Sequence, residues 1–188
     1  MKIKTLLAAS LLVGTSLFAG NYTVDPAHSS ADFSVKHAMI STVKGNFTTF
    51  SGTFIYDEAT KTLKSLNGTI DASTINTGIK DRDTHLRSAD LFDVAKFPTI
   101  TFALDEIKGD KAYGKLTIKG ITKPVILAFE NGGSATDPYG NKRVGLGLSG
   151  KIKRSDFGIT WNAALETGGV VVGEEVKIDV ALEGILQK

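Results

Sequence analysis

The stretch EVKIDVALEG sets Val176, Ile178, Val180 and Leu182 on one side of an extended chain and Lys177, Asp179, Ala181 and Glu183 on the other. Strand side chains alternate between two faces, so this segment turns one apolar face inward and one charged face to water. KRVGLGLSGKIKR repeats the arrangement, with Val144, Leu146, Leu148 and Ile152 opposed to Arg143, Ser149, Lys151 and Lys153. The period recurs in SADFSVKH, where Ala31, Phe33 and Val35 oppose Asp32, Ser34 and Lys36, and β-rich runs fill most of the chain between. The pattern predicts an all-β chain of about eight strands, several of about 9–12 residues, against a usual 5–6. Long antiparallel strands of this kind suit a closed up-and-down barrel, and patterning alone leaves a two-sheet sandwich as the alternative. A barrel of that size is either filled by its own side chains or holds one small ligand.

Three places break the rhythm. The apolar phase slips between Phe47 and Phe50, which predicts a bulge or a sharp coil. Residues 78–96 form the one stretch expected to be helical, with Pro98 closing it, and they contain the charged run RDTHLRS. As a helix, this run places Asp81 with His85 and Asp83 with Arg87 at i,i+4, an ion-paired face with Leu86, Leu91 and Phe92 capping a barrel end. A sharper reading puts Arg82, His85 and Arg87 at the rim of an apolar cavity, where they would hold the polar head of a ligand. The third irregular stretch, FGITWNAALETGGVVVGEE, holds the only tryptophan, Trp161, and is expected to shape a mouth or a contact between copies. Gly145 and Gly147 allow close backbone approach on their strand.

Residues 1–19 carry Lys2 and Lys4 ahead of an uncharged, largely apolar run, the form of a cleaved secretion leader. The expectation is an exported protein whose mature domain spans residues 20–188. Without those two lysines the charges balance, since the full chain has 22 Lys+Arg against 20 Asp+Glu. A neutral surface offers no bulk attraction to nucleic acid or to an anionic membrane surface. The chain has no cysteine, which excludes disulfides, thiolate nucleophiles and thiolate-held metals. Lysines and acids on the outward faces of the last two strands leave no apolar outer band, so a lipid-embedded barrel is not expected.

Catalytic and metal-binding patterns are weak. Asp156-Phe157-Gly158 matches a kinase tripeptide without any of its companion motifs, and reads as a turn. His28, His37 and His85 stand far apart in sequence, against the tight spacing of most metal sites. There is no nucleophile elbow of the G-x-S-x-G type. The expectation is no catalytic residue, no metal and no cofactor, with an esterase or lipid-modifying enzyme using His85 or His28 as the alternative.

HSSADFSVKH, GNFTTFSGTFIYD, STINTGIKDRDTHLRSADLFDVAKFPTITF, GKLTIKGITKPV, DPYGNKRVGLGLSGKIKRSDFGI and EVKIDVALEGILQK together resemble the YceI-like family of bacterial periplasmic proteins. The resemblance covers nearly the whole chain after the leader. It implies a lipocalin-like barrel, a periplasmic location and a non-enzymatic role in binding and carrying an amphipathic lipid. The implied ligands are polyisoprenoids, quinone-type lipids or fatty-acid amides, and two copies can pair. Phe33, Val35, Phe47, Leu86, Phe92, Phe102, Leu116, Ile118, Leu146, Leu148 and Val180 are then the expected lining, with Arg82, His85 and Arg87 as head-group candidates.

Overall fold

The computed structural model describes residues 19–166 and 168–188; nearly all of the expected leader lies outside them. Eleven strands run in chain order: β1 (Gly20–Val24), β2 (Ser30–His37), β3 (Ser41–Phe47), β4 (Phe50–Asp57), β5 (Thr62–Asp71), β6 (Ile75–Asn76), β7 (Thr99–Lys108), β8 (Lys111–Ile118), β9 (Ile121–Thr136), β10 (Lys142–Lys153) and β11 (Val172–Leu186). One helix, α1 (Lys80–Arg87), lies between β6 and β7. Every pairing between the named strands is antiparallel.

The ring runs β1, β4, β5, β7, β8, β9, β10 and β11, and Tyr22 to Val24 pairing with Leu186 to Gly184 closes it. This is the expected eight-stranded antiparallel barrel. Three staves of the barrel are interrupted, which accounts for the other three strands. Pro26 breaks β1 from β2, because it has no N–H to give a ladder, and the Asp25 carboxylate caps the resulting turn at Ala27 N. A short 3-10 turn at Ala72–Thr74, capped by Asp71 on Ser73 N at 2.9 Å, separates β5 from β6. Thr48 and Thr49 leave the sheet between β3 and β4, and Thr49 N donates to Thr74 Oγ1 at 3.1 Å. The phase slip at Phe47 is thus a break in the stave, where a bulge was one expectation. Two unpaired residues let both Phe47 and Phe50 turn inward.

The interior divides into two clusters. In the first, Tyr22 stacks on Phe54 at 5.1 Å and meets Tyr56 edge-on at 6.3 Å. Val144, Leu146 and Leu63 close around them, and all of these side chains are buried. Gly184 makes the stack fit, since a Cβ there would overlap the Phe54 ring. The polar tips stay satisfied: Tyr22 donates to Glu58 at 2.8 Å and Tyr56 to Asn131 at 3.0 Å. Burial first, then Glu58, pushes the Tyr22 phenol well above its usual range, so it stays a donor. The second cluster, around Phe47, Ile75, Leu91, Ile100, Leu116, Ile118 and Phe157, lies under α1 and the loop that follows it.

Arg143 gathers three acids at the margin of the first cluster. It donates to Asp137 at 2.7 Å, Asp25 at 2.8 Å and Glu183 at 2.6 Å, tying β10 to β11, to the end of β1 and to the loop before it. The guanidinium, then His28, holds the Asp25 carboxyl down at about 2, and Asn141 and Arg143 hold Asp137 below the carboxylate range. Both groups titrate lower in the fold than in the unfolded chain, where about 3.9 is usual. Their stabilisation is therefore complete above about pH 4 and is lost as pH falls toward 2. Thermal melts of Arg143→Gln should show a lower Tm than the wild type at neutral pH, with the gap narrowing steadily as pH falls from about 4 toward 2. A gap that stays constant with pH would mean that Arg143 acts through packing.

The β2–β3 turn carries a local cost. Ala38 and Met39 both have positive φ, 48° and 64°, and Ile40 N–H returns to the His37 carbonyl at 3.1 Å. Such a turn prefers Asn-Gly, because a Cβ is strained in this region. Replacing the pair by Asn-Gly should raise stability by about 1–2 kcal/mol in urea unfolding.

Candidate functional site

A partly open apolar space of about 210 Å³ lies inside the barrel beside the second cluster. It follows from the alternation: β11 contributes Val176, Ile178, Val180 and Leu182, and β2 contributes Phe33 and Val35. Phe102 of β7, Leu116 and Ile118 of β8, and Leu148 and Ile152 of β10 complete the staves. Phe47, Leu86, Leu91 and Phe92 close it from the insert side, with Phe47 edge-on to Phe92 at 6.1 Å. All of the expected lining residues border this space except Leu146, which is buried in the first cluster among the aromatic rings. An apolar cavity of ~150 Å³ already stays dry and takes up a small apolar molecule, so this one is large enough to hold one.

The charged insert is organised differently from the ion-paired helix expected. The helix ends at Arg87, and the rest of residues 78–96 forms turns. Asp83 is buried and accepts from Thr77 N at 2.9 Å, while Arg82 donates to Thr77 Oγ1 at 2.7 Å and Thr77 O at 2.8 Å. Arg87 donates to Ser73 O at 2.6 Å and Ile75 O at 3.0 Å. His85 lies 3.2 Å from Asp90 and stands edge-on to Trp161 at 4.8 Å. The Asp81–His85 and Asp83–Arg87 pairs do not form. The broken β5–β6 stave leaves carbonyls with no ladder partner nearby, and the arginines satisfy those instead. Arg82, His85 and Arg87 are each partly buried on the helix whose Leu86 borders the cavity.

One residue escaped the sequence reading. Arg154 is only 5% exposed, borders the cavity, and spends its guanidinium on backbone carbonyls. It donates to Gly173 O at 3.0 Å, Ile159 O at 2.9 Å and Trp161 O at 2.8 Å, with the Glu174 carboxylate 3.9 Å away. This fastens the irregular loop around Trp161 to the start of β11. The signal was present: Arg154 follows Val144, Leu146, Leu148 and Ile152 on the inward phase, where an arginine is out of place. The Asp156-Phe157-Gly158 tripeptide is indeed a turn, with Gly158 left-handed at φ 70°. Arg154→Met removes the guanidinium donor from one buried and two partly buried carbonyls and should cost roughly 3 kcal/mol in urea unfolding. Arg154→Lys should recover only part of that, because one ammonium cannot reach both sides of the loop.

His28 stands with Asp25 and Glu183, whose oxygens and ring nitrogen lie within 4.8 Å of one another. The Arg143 guanidinium already bridges the two carboxylates there, in the place that a metal ion would need. No histidine borders the cavity among the described residues.

A family profile described as a YceI-like domain matches residues 22–184. Protein YceI of Salmonella newport (strain SL254) is 37% identical over 188 residues, covering 97% of this chain and 95% of its own. The crystal structure of a Campylobacter jejuni YceI protein superposes with a TM-score of 0.71 at 31% identity, covering 100% of each chain. A polyisoprenoid binding domain from Saccharophagus degradans, implicated in plant cell wall breakdown, shares the fold with a TM-score of 0.68 at 18% identity, covering 90% of this chain and 99% of its own.

Proposed function

The chain belongs to the YceI-like family, and on that premise we propose that it is an exported, non-enzymatic carrier that sequesters the apolar chain of a lipid inside its barrel. The apolar space inside the barrel beside the second cluster is the observation that carries this reading. Each CH₂ moved from water into such a space gains about 0.8 kcal/mol, so a ten-carbon stretch gains about 8 kcal/mol before the costs of association. The space is narrow. At about 210 Å³ it lies below the ~300–1,000 Å³ of pockets for drug-sized molecules. It suits a slender single chain, and a long isoprenoid fills it only by rotating lining side chains or by leaving part of its length outside.

A membrane-partitioning molecule needs such a dry enclosure to cross water, which fits the leader expected at residues 1–19 and a periplasmic location. The ligand class we propose is a polyisoprenoid, a quinone-type lipid or a fatty-acid amide, the first because a domain of this fold is described as binding polyisoprenoid. In this reading the polar head lies beside α1, where Arg82 and Arg87 keep N–H donors beyond those used on Thr77, Ser73 and Ile75, and His85 offers the ring nitrogen that does not face Asp90.

The test is native mass spectrometry of the purified protein, with organic extraction and uptake of added isoprenoid. Wild type should carry or take up one long-chain lipid. Leu148→Trp or Val180→Trp, which fill the space from paired positions on the neighbouring strands β10 and β11, should abolish uptake while circular dichroism still reports a folded barrel. Wild-type protein that stays empty after exposure to isoprenoid would sink the carrier reading.

A further inference from the structure

Two short hairpins stand side by side where the cavity wall ends. The first is the β2–β3 turn at Ala38, Met39 and Ile40. In the second, Ala164 bridges Val170 and Val171 N–H donates to Ala163 O at 2.9 Å. Ala38 N–H donates to Val171 O at 2.8 Å and His37 pairs with Val172, which locks the two together. Met39 lies against Gly169, where a Cβ would meet its Cγ at 3.4 Å. Val35, Val172 and Val176 at the root of this pair border the apolar space.

The shared tip is apolar and in water. Ile40 is 87% exposed, Met39 63% and Val170 37%, while Trp161, 36% exposed, precedes the second hairpin with its ring edge-on to His85. The other exposed large apolar side chains, such as Ile126 and Tyr139, are dispersed over other elements. The backbone makes the tip more telling, since Ala38 and Met39 occupy φ values that favour Asn-Gly. Met39 thus presents a large apolar side chain to solvent at a position where glycine would relieve strain. Neither folding nor solubility asks for that arrangement.

Toward its tip the first hairpin carries only basic charged side chains. Residues 33–56, which include everything in that hairpin beyond Asp32, contain no carboxylate. Lys44 and Lys177 stand opposite Ser34 from its two sides, and Lys36 is the next outward residue of β2 toward the tip. None of these three lysines pairs with a carboxylate among the described residues. Nearby acids are engaged: Glu174 accepts from Ser155 N–H at 3.0 Å and Glu175 pairs with Lys151 at 2.6 Å. Asp32 and Asp179 face each other one row farther from the tip, and Glu166 is the single acid of the second hairpin.

We propose that this tip is a membrane-docking surface, which places Met39, Ile40 and Val170 in the interfacial layer of a bilayer, with Trp161 beside the root of the second hairpin as the reporter, and turns Lys36, Lys44 and Lys177 toward its anionic headgroups. Aliphatic side chains beneath a cationic collar match the chemistry of that layer. A second copy of the chain fits the tip poorly. A stable dimer needs about 800 Å² from each partner, and three side chains on a convex tip supply much less. A bilayer closes around a convex tip. Docking does not require that the barrel carry lipid, but it would bring the cavity wall to the source of one.

The sole tryptophan makes the proposal measurable. Purified protein is titrated with vesicles of phosphatidylcholine, with and without phosphatidylglycerol, and Trp161 emission and co-sedimentation are followed. Wild type should bind the anionic vesicles with a blue shift. Ile40→Glu, at a fully solvated position, should weaken binding at least about tenfold while the thermal melt is unchanged. Tyr139→Glu, equally exposed on another loop, should bind as wild type does. Lys44→Glu should weaken binding about fivefold or more on anionic vesicles and leave the neutral ones unaffected. Absence of vesicle binding by wild type, or equal binding by Ile40→Glu, overturns the proposal. So does a dimer in sedimentation velocity that Ile40→Glu dissolves while vesicles stay unbound, which would assign the tip to self-association. Native mass spectrometry of Ile40→Glu separates the two readings: lipid retained without vesicle binding locates the defect at the tip, and vesicle binding by a wild type that never holds lipid refutes only the carrier.

Discussion

Ring closure between β1 and β11 is the constraint from which the rest of the molecule follows. Once Tyr22 to Val24 pair with Gly184 to Leu186, every stave of the ring has a neighbour on both sides, and no long edge is left to recruit another chain. Closure also fixes how much space the inward side chains must fill. Eight strands enclose a width that side chains can just fill, so any local run of smaller or shorter residues leaves a void.

The interior answers that requirement differently at its two ends. Around Tyr22, Phe54 and Tyr56, rings cross the barrel and stack, and Gly184 gives one of them room. Nothing is left open there. Around the second cluster the inward positions are mostly Val, Ile and Leu, which do not reach across to the far wall, and an apolar space remains. The three broken staves serve that half. They free the backbone at Thr48, Thr49 and Ala72 to Thr74, and the insert folds over the end with its arginines on the carbonyls so released. A buried guanidinium, Arg154, holds the neighbouring Trp161 loop by the same means, through carbonyls rather than a close carboxylate. Backbone carbonyls are fixed in place, so donors spent on them set a loop's position more firmly than a surface ion pair would.

Much of this was legible in the sequence, and the part that was not has a common cause. Period-two alternation depends only on which face is dry, so Val176 to Leu182 and Val144 to Ile152 could be assigned to the interior without knowing any partner. The strand count was legible for the same reason, with each broken stave reading as one. What alternation could not show is which polar groups the folded backbone would leave unsatisfied. Asp83 and Arg87 have ideal spacing for an ion pair, yet Thr77 and the carbonyls of Ser73 and Ile75 take them, because those groups come from a stave that breaks only in three dimensions. Leu146 has the right phase and lies in the wrong half, among rings that its own strand gives no hint of. Arg154 was the one recoverable miss, a charge on an apolar phase.

The two places where local chemistry disagrees with the fold are therefore informative in opposite ways. Arg154 contradicts the inward pattern, and the structure resolves the conflict internally, since every short contact of its guanidinium is with the protein's own backbone. Its presence is explained by folding. Ala38 and Met39 contradict the turn they occupy, and the hydrogen bond from Ala38 N–H to Val171 O and the contact of Met39 with Gly169 leave its backbone strain in place while Met39 and Ile40 stand largely in water. A conflict without internal compensation points to a contact outside the chain. The hairpin tip, beside the end of the apolar space, is where such a contact would matter most for a protein that has to exchange an apolar cargo with its surroundings.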